Sequence, residues 1–123
     1  MARILILDAE AASAAELAQA LTARGHRVRC CQRNHQALRL SRLLAFDLLW
    51  MAWPLTGMDE LEFMRRLRHV CPLLPVAIAC HQEPEAQLRL QLKARGVTLL
   101  VRADGPLPLV AAAAEACIPG AGS

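Results

Sequence analysis

The sequence predicts a doubly wound α/β domain, a five-stranded parallel sheet (flavodoxin-like) covered by helices on both faces. Three observations predict it. Five apolar runs of strand length recur along the chain, each is followed by a longer segment of helical character, and glycine or proline marks most of the junctions. Strands buried on both faces read as nearly continuous apolar runs, and right-handed crossovers between them leave the doubly wound sheet as the natural solution.

The elements follow in order. Arg3 to Leu7 is a continuous apolar strand. Ala11 to Arg24 is rich in Ala and Leu, places Leu17 and Leu21 on one face, and meets Gly25 where a helix should stop. Arg27 to Cys31 is a short second strand. Asn34 is expected to cap a helix reaching about Leu44, with Leu38, Leu40, Leu43 and Leu44 as its apolar side. Asp47 to Ala52 is a third strand, followed by a loop at Trp53 to Gly57. The next helix, about Asp59 to His69, opens with acids and closes with Arg65, Arg66, Arg68 and His69, the order that the helix dipole favours. Val76 to Cys80 is strand four. Pro84 to Arg95 is a helix with proline at its start and Gly96 after its end. Val97 to Val101 is strand five, and Pro106 to Cys117 is the last helix.

Size and composition agree with one domain. The chain has 123 residues, of which 55% are hydrophobic and 20% charged. That length buries roughly two-thirds of the surface of the unfolded chain, enough for a single core. The apolar fraction excludes disorder. No apolar run approaches the ~20 residues needed to cross a membrane. The opening Met1 to Asp8 brings an acid before any adequate apolar stretch, so no signal peptide is expected and the chain is expected to be cytoplasmic.

The net charge is +3, too mild to imply nucleic acid by itself. Its distribution is uneven. No acid stands between Glu16 and Asp47, whereas Arg24, Arg27, Arg29, Arg33, Arg39 and Arg42 do. The stretch reads as a solvated face in an arginine-biased chain; the other reading is a basic patch for an acidic partner. The five cysteines include no CxxC pair, so neither a disulfide framework nor a zinc site is supported. Cys30 and Cys31 are adjacent and cannot both face the core.

In such a sheet, ligands bind at the carboxyl ends of the strands. The residues there, together with Ile4-Leu5-Ile6-Leu7-Asp8, Gly25-His26-Arg27-Val28, Phe46-Asp47-Leu48-Leu49, Gly57-Met58-Asp59-Glu60-Leu61-Glu62, Leu74-Pro75-Val76 and Ala94-Arg95-Gly96-Val97, resemble the receiver domain of bacterial two-component response regulators. The likeness covers residues 1–118, leaving 119–123 as a flexible tail.

The resemblance implies Mg²⁺-dependent transfer of a phosphoryl group onto an aspartate at the end of strand three, and most of the parts it requires are missing. The acidic pair after strand one is Asp8 and Ala9, with Glu10 one place further on. The phosphoacceptor position is Ala52. The hydroxyl position ending strand four is Cys80, the lysine position near the end of strand five is Ala103 (beside Arg102), and the aromatic switch position is Leu100. The loop proline position is Thr56, with Pro54 displaced from it. Methyl groups form no acyl phosphate, and Asp8 and Glu10 are a poor Mg²⁺ site on their own. No cation at Ala103 balances phosphoryl charge. The chain therefore reads as a degenerate pseudo-receiver: not an enzyme, without a cofactor, and signalling through a protein partner. That partner could be a second copy, a signalling kinase or an output protein. The resemblance places the partner surface on Leu100, Arg102, Leu107, Val110 and Ala111. Membrane binding is not expected, and nucleic acid only through an attached domain.

Several residues keep two readings. Asp8 is a surviving metal ligand or a helix cap. Trp53 fills the emptied pocket or lines the loop. Cys80 is a core residue or a reactive thiol, although adjacent His81 points the other way on the strand and is badly placed as its base. Two further functions stay open: a ligand or redox sensor in the vacated pocket, and an atypical receiver phosphorylated on Asp8 or Glu10.

Overall fold

The computed structural model describes residues 1–53, 59–101 and 105–120. The chain alternates β1 (Arg3–Leu7), α1 (Ala11–Ala23), β2 (Arg27–Cys31), α2 (Asn34–Leu43), β3 (Leu48–Ala52), α3 (Glu60–Val70), β4 (Val76–Cys80), α4 (Ala86–Ala94), β5 (Val97–Val101) and α5 (Leu107–Ala116). All pairings are parallel, in the order β2-β1-β3-β4-β5. This is the predicted doubly wound sheet.

Alternation along each strand feeds two cores. Leu5, Leu7, Leu49, Met51, Val76 and Ile78 face α2, α3 and α4. Ile4, Ile6, Leu48, Trp50 and Ala77 face α1 and α5. Both faces need apolar groups, which is why the inner strands β3 and β4 carry no charged or hydroxyl residue. β3 begins at Leu48 rather than Asp47. The Asp47 N–H donates to the Arg3 carbonyl at 2.7 Å, and its carboxylate accepts the Arg3 N–H at 2.8 Å, so Asp47 ties the start of β3 to β1.

Two expectations for α2 are corrected. Asn34 is not the cap but the first helical residue, and it is buried. The Gln36 side-chain oxygen instead accepts the N–H groups of Gln32 and Arg33, each at 3.3 Å. The buried stripe is Asn34, Ala37 and Ser41, whereas Leu43 is 60% exposed. Small side chains at helical spacing let α2 sit close to the sheet, which leaves the leucines on its flanks.

α3 starts as its sequence dictates. The Asp59 carboxylate caps it by accepting the Glu62 N–H at 2.8 Å. At its other end the Arg68 guanidinium donates to the carbonyls of Arg95, Cys71 and Leu74 at 3.0, 3.2 and 2.7 Å. One side chain thereby ties the end of α3 to the approaches of β4 and β5. α4 starts two residues after Pro84 and stops where Gly96 adopts a φ of +79°. Residues 121–123 of the expected tail lie outside the described residues.

Candidate functional site

The order β2-β1-β3 makes β1 and β3 the switch point of the sheet, and their carboxyl ends open into a cleft of about 360 Å³. Asp8 and Glu10 follow β1, Ala52 and Trp53 end β3, and Cys80 and His81 end β4 at this cleft. Ser13 and Glu16 of α1 line one side, and Leu107 and Val110 of α5 another. Sequence reasoning missed the two α1 residues. They stand at helical spacing from the cleft end of α1, a signal legible only once the helix start is fixed.

Asp8 is engaged locally. Its Oδ1 accepts the Glu10 N–H at 2.9 Å, and its own N–H donates to the Cys31 carbonyl at 3.0 Å. This is an Asx turn that leads the chain into α1. The helix-cap reading of Asp8 is corrected: Glu10 holds the N-cap position of α1, and Asp8 makes a turn one step before it. Ala9 is exposed and does not line the cleft, and Ala52 presents a half-buried methyl group to it. Cys80 is buried, its Sγ lies 3.6 Å from the Leu100 carbonyl oxygen, and burial pushes its thiol pKa up. His81 is exposed at the rim. Trp53 packs against the α2–α4 core while also lining the cleft. Trp50 is buried and contributes to the cleft wall. Pro54, Thr56, Arg102 and Ala103 lie outside the described residues.

Three carboxylates line this cleft, Asp8, Glu10 and Glu16. Asp8 has one oxygen committed to the turn, the adjacent positions are Ala9 and Ala52, and among the described residues no three His, Cys, Asp or Glu side chains gather into a metal-holding group.

The expected partner residues are divided. Leu107 is 38% exposed and Val110 half-buried at the cleft, while Leu100 packs partly against the α1/α5 core. Ala111 is fully buried, which corrects its assignment to the surface: it stands on the stripe that α5 turns to the sheet. Leu109, not singled out by sequence, is 66% exposed on the same helix. Cys30 is exposed and Cys31 buried, as their adjacency requires. No described helix is long and apolar enough to cross a membrane.

No protein-family model and no curated protein matches the chain. Solved structures do. An orphan response regulator of H. pylori is 14% identical with a TM-score of 0.80, matching over 94% of this chain and 95% of that one. The chemotaxis response regulator CheY4 of Vibrio cholerae is 18% identical with a TM-score of 0.83, over 96% and 99%. A streptococcal protein, described as one of a family of redox sensors evolved from two-component response regulators, is 21% identical with a TM-score of 0.83, over 95% of this chain and 51% of that one. The likeness is one of fold: this chain is a single five-stranded parallel α/β domain with the CheY-like, flavodoxin-like fold of response regulator receiver domains.

Proposed function

We propose that this domain is a pseudo-receiver, a signalling module that works without phosphorylation, through contact with a protein partner or a second copy of itself. The observation that carries the reading is the methyl group of Ala52 at the end of β3, where the resemblance requires a carboxylate. Asp8, bound into its turn, does not replace it. In a phosphorylated receiver the acyl phosphate shifts a two-state equilibrium. Without that ligand the equilibrium is set by sequence or by a partner. The exposed apolar groups of α5, Leu107 and Leu109, support a constitutive contact surface on that helix.

The test is incubation with acetyl phosphate and Mg²⁺ followed by intact mass. No gain of a phosphoryl group is expected, and no Mg²⁺-dependent rise in Tm. A gain mapped to Asp8 or Glu10 would instead establish an atypical receiver. Ala52→Asp alone should also stay unlabelled, because Ala9 and Ala103 remain; labelling of that single variant would overturn the reading. Size-exclusion chromatography with light scattering reports whether a second copy is the partner.

A second reading has a specific observation behind it. The cleft of about 360 Å³ opens beside Cys80, and one neighbour of the same fold is described as a redox sensor. Against a redox role for Cys80, burial raises its pKa and lowers the thiolate fraction that would react. Thiol-labelling rates against pH test the redox form of this reading, and a metabolite thermal-shift screen tests its ligand form.

A further inference from the structure

β2 is an edge strand, paired among the described residues only with β1. Its residues alternate in their main-chain directions. Arg27 donates to the Ala2 carbonyl at 2.8 Å and the Cys31 carbonyl accepts from Asp8 at 3.0 Å, so Arg27, Arg29 and Cys31 pair inward with β1. The N–H and C=O groups of Val28 and Cys30 therefore point outward along the open edge. A groove of about 640 Å³ runs beside this edge, with Ala14 and Ala15 of α1 on one wall, Arg39 and Leu43 of α2 on the other, and Cys30 of β2 and Gln32 just after it between them.

Unpaired arginines are concentrated near this edge, although Arg3, Arg33, Lys93 and Arg95 likewise form no ion pair among the described residues. Arg24, Arg65, Arg66 and Arg89 all pair with glutamates. Among the described residues, Arg27, Arg29, Arg39 and Arg42 form no ion pair, and all four are exposed. Arg27 and Arg29 stand two apart on the side of β2 that faces α2, where Arg39 lines the groove. No acid stands in the sequence between Glu16 and Asp47, and of the acids from outside that stretch Asp47 shares a surface pocket with Arg27 without forming an ion pair to it. A second copy docked edge to edge would set these arginines against their own counterparts.

We propose that this edge accepts an extended acidic segment of a partner protein as a sixth strand. Its main chain pairs with Val28 and Cys30, its alternate apolar side chains lie on the α1 side against Ala15, and its carboxylates, on the α2 side, meet Arg27, Arg29 and Arg39. The outward main-chain groups and the apolar walls favour an extended peptide over a nucleic acid, whose phosphates would use the arginines alone. The surface is separate from the cleft, and the inference does not depend on how the cleft is read.

The test uses the full chain, ¹⁵N-labelled, titrated with a short peptide of alternating glutamate and valine at physiological ionic strength. Duplex DNA and a lysine–valine peptide serve as comparisons. The Val28 and Cys30 amides should shift and gain protection from exchange. Arg27→Glu with Arg29→Glu should weaken binding at least roughly tenfold. Val28→Pro should abolish it while leaving the fold intact, because an edge position whose N–H faces outward tolerates proline; a thermal melt checks that the variant is folded, and the exposed arginine pair supplies an independent variant. Absence of peptide binding, binding that leaves the Val28 and Cys30 amides unmoved, or DNA binding tighter than peptide and indifferent to Val28→Pro would each overturn the proposal.

Discussion

The two helical layers cover the sheet by different means. The α2–α4 layer uses bulk: Phe63, Met64 and Leu67 of α3 and Leu92 of α4 are all fully buried. The α1/α5 layer relies more on alanine, with Ala14, Ala111 and Ala114 in its core beside Leu17 and Leu21. Small side chains let helices approach closely but remove less apolar area from water. A polar clasp compensates. Glu115, the one charged residue of α5, accepts from His26 Nε2 at 2.8 Å and pairs with Arg24. His26 Nδ1 accepts the Ala2 N–H at 3.1 Å, and the Arg24 guanidinium also reaches the Pro108 carbonyl at 3.3 Å. With Nδ1 accepting, the ring proton sits on Nε2 and is donated to Glu115. A carboxylate in the last turn of a helix opposes the dipole; here an arginine and a histidine from the α1–β2 turn offset that. Where side-chain volume is small, hydrogen bonds fix the helix.

The largest expected effect breaks the bulky layer. Phe63→Ala should cost about 3–5 kcal/mol, read by urea denaturation. In the alanine layer the informative change is enlargement. Ala114 is fully buried, so Ala114→Leu should cost about 1–3 kcal/mol through overpacking. A neutral result would mean that α5 is not closely packed, and the contrast between the layers would fail. His26→Ala removes two hydrogen bonds and leaves the Ala2 N–H without its acceptor, for about 1–2 kcal/mol.

The fold was legible because its signal is redundant. The continuous runs Arg3–Leu7 and Val76–Cys80, and the stops at Gly25 and Gly96, are each local, and they agree with one another. α2 was misread because leucine content outweighed spacing: Asn34, Ala37 and Ser41 share the helical stripe, and two of the three are polar. The cleft was legible as positions, with Asp8, Ala52 and Cys80 brought to one place. The hydrogen bond that commits Asp8 to its turn was not, because it depends on the geometry of the β1–α1 connection. The clasp was missed because Arg24 and His26 lie about ninety residues from Glu115, and no periodicity reports such a contact. Its one sequence signal was a lone acid in an otherwise uncharged helix.

Acid sharpens the comparison further. Hydrogen bonds from His26 and Arg24 hold the Glu115 carboxyl below the ordinary carboxylate range. A carboxyl lowered in the folded state contributes stability that is present above its unfolded pKa, about 4.3, and lost as pH falls through the folded value. The Tm of the wild-type protein should therefore exceed that of Glu115→Gln near neutral pH, and the two should converge on acidification.

Glu62 is the matching control in the bulky layer, pulled down to about 2 by hydrogen bonds from Arg65 and Arg66. Its sign is the same, so any advantage over Glu62→Gln should fade as pH falls from about 4.3 towards about 2. The size differs. Glu62 and its arginines sit on one helix in contact with water, where such pairs contribute little, whereas Glu115 joins α5 to the β2 end of the sheet. Glu62→Gln should thus be the smallest change of the series, measured by thermal melts across the same pH range. A larger loss from Glu62→Gln than from Glu115→Gln would mean that local helix charge, and not the tie between elements, governs acid stability in this fold.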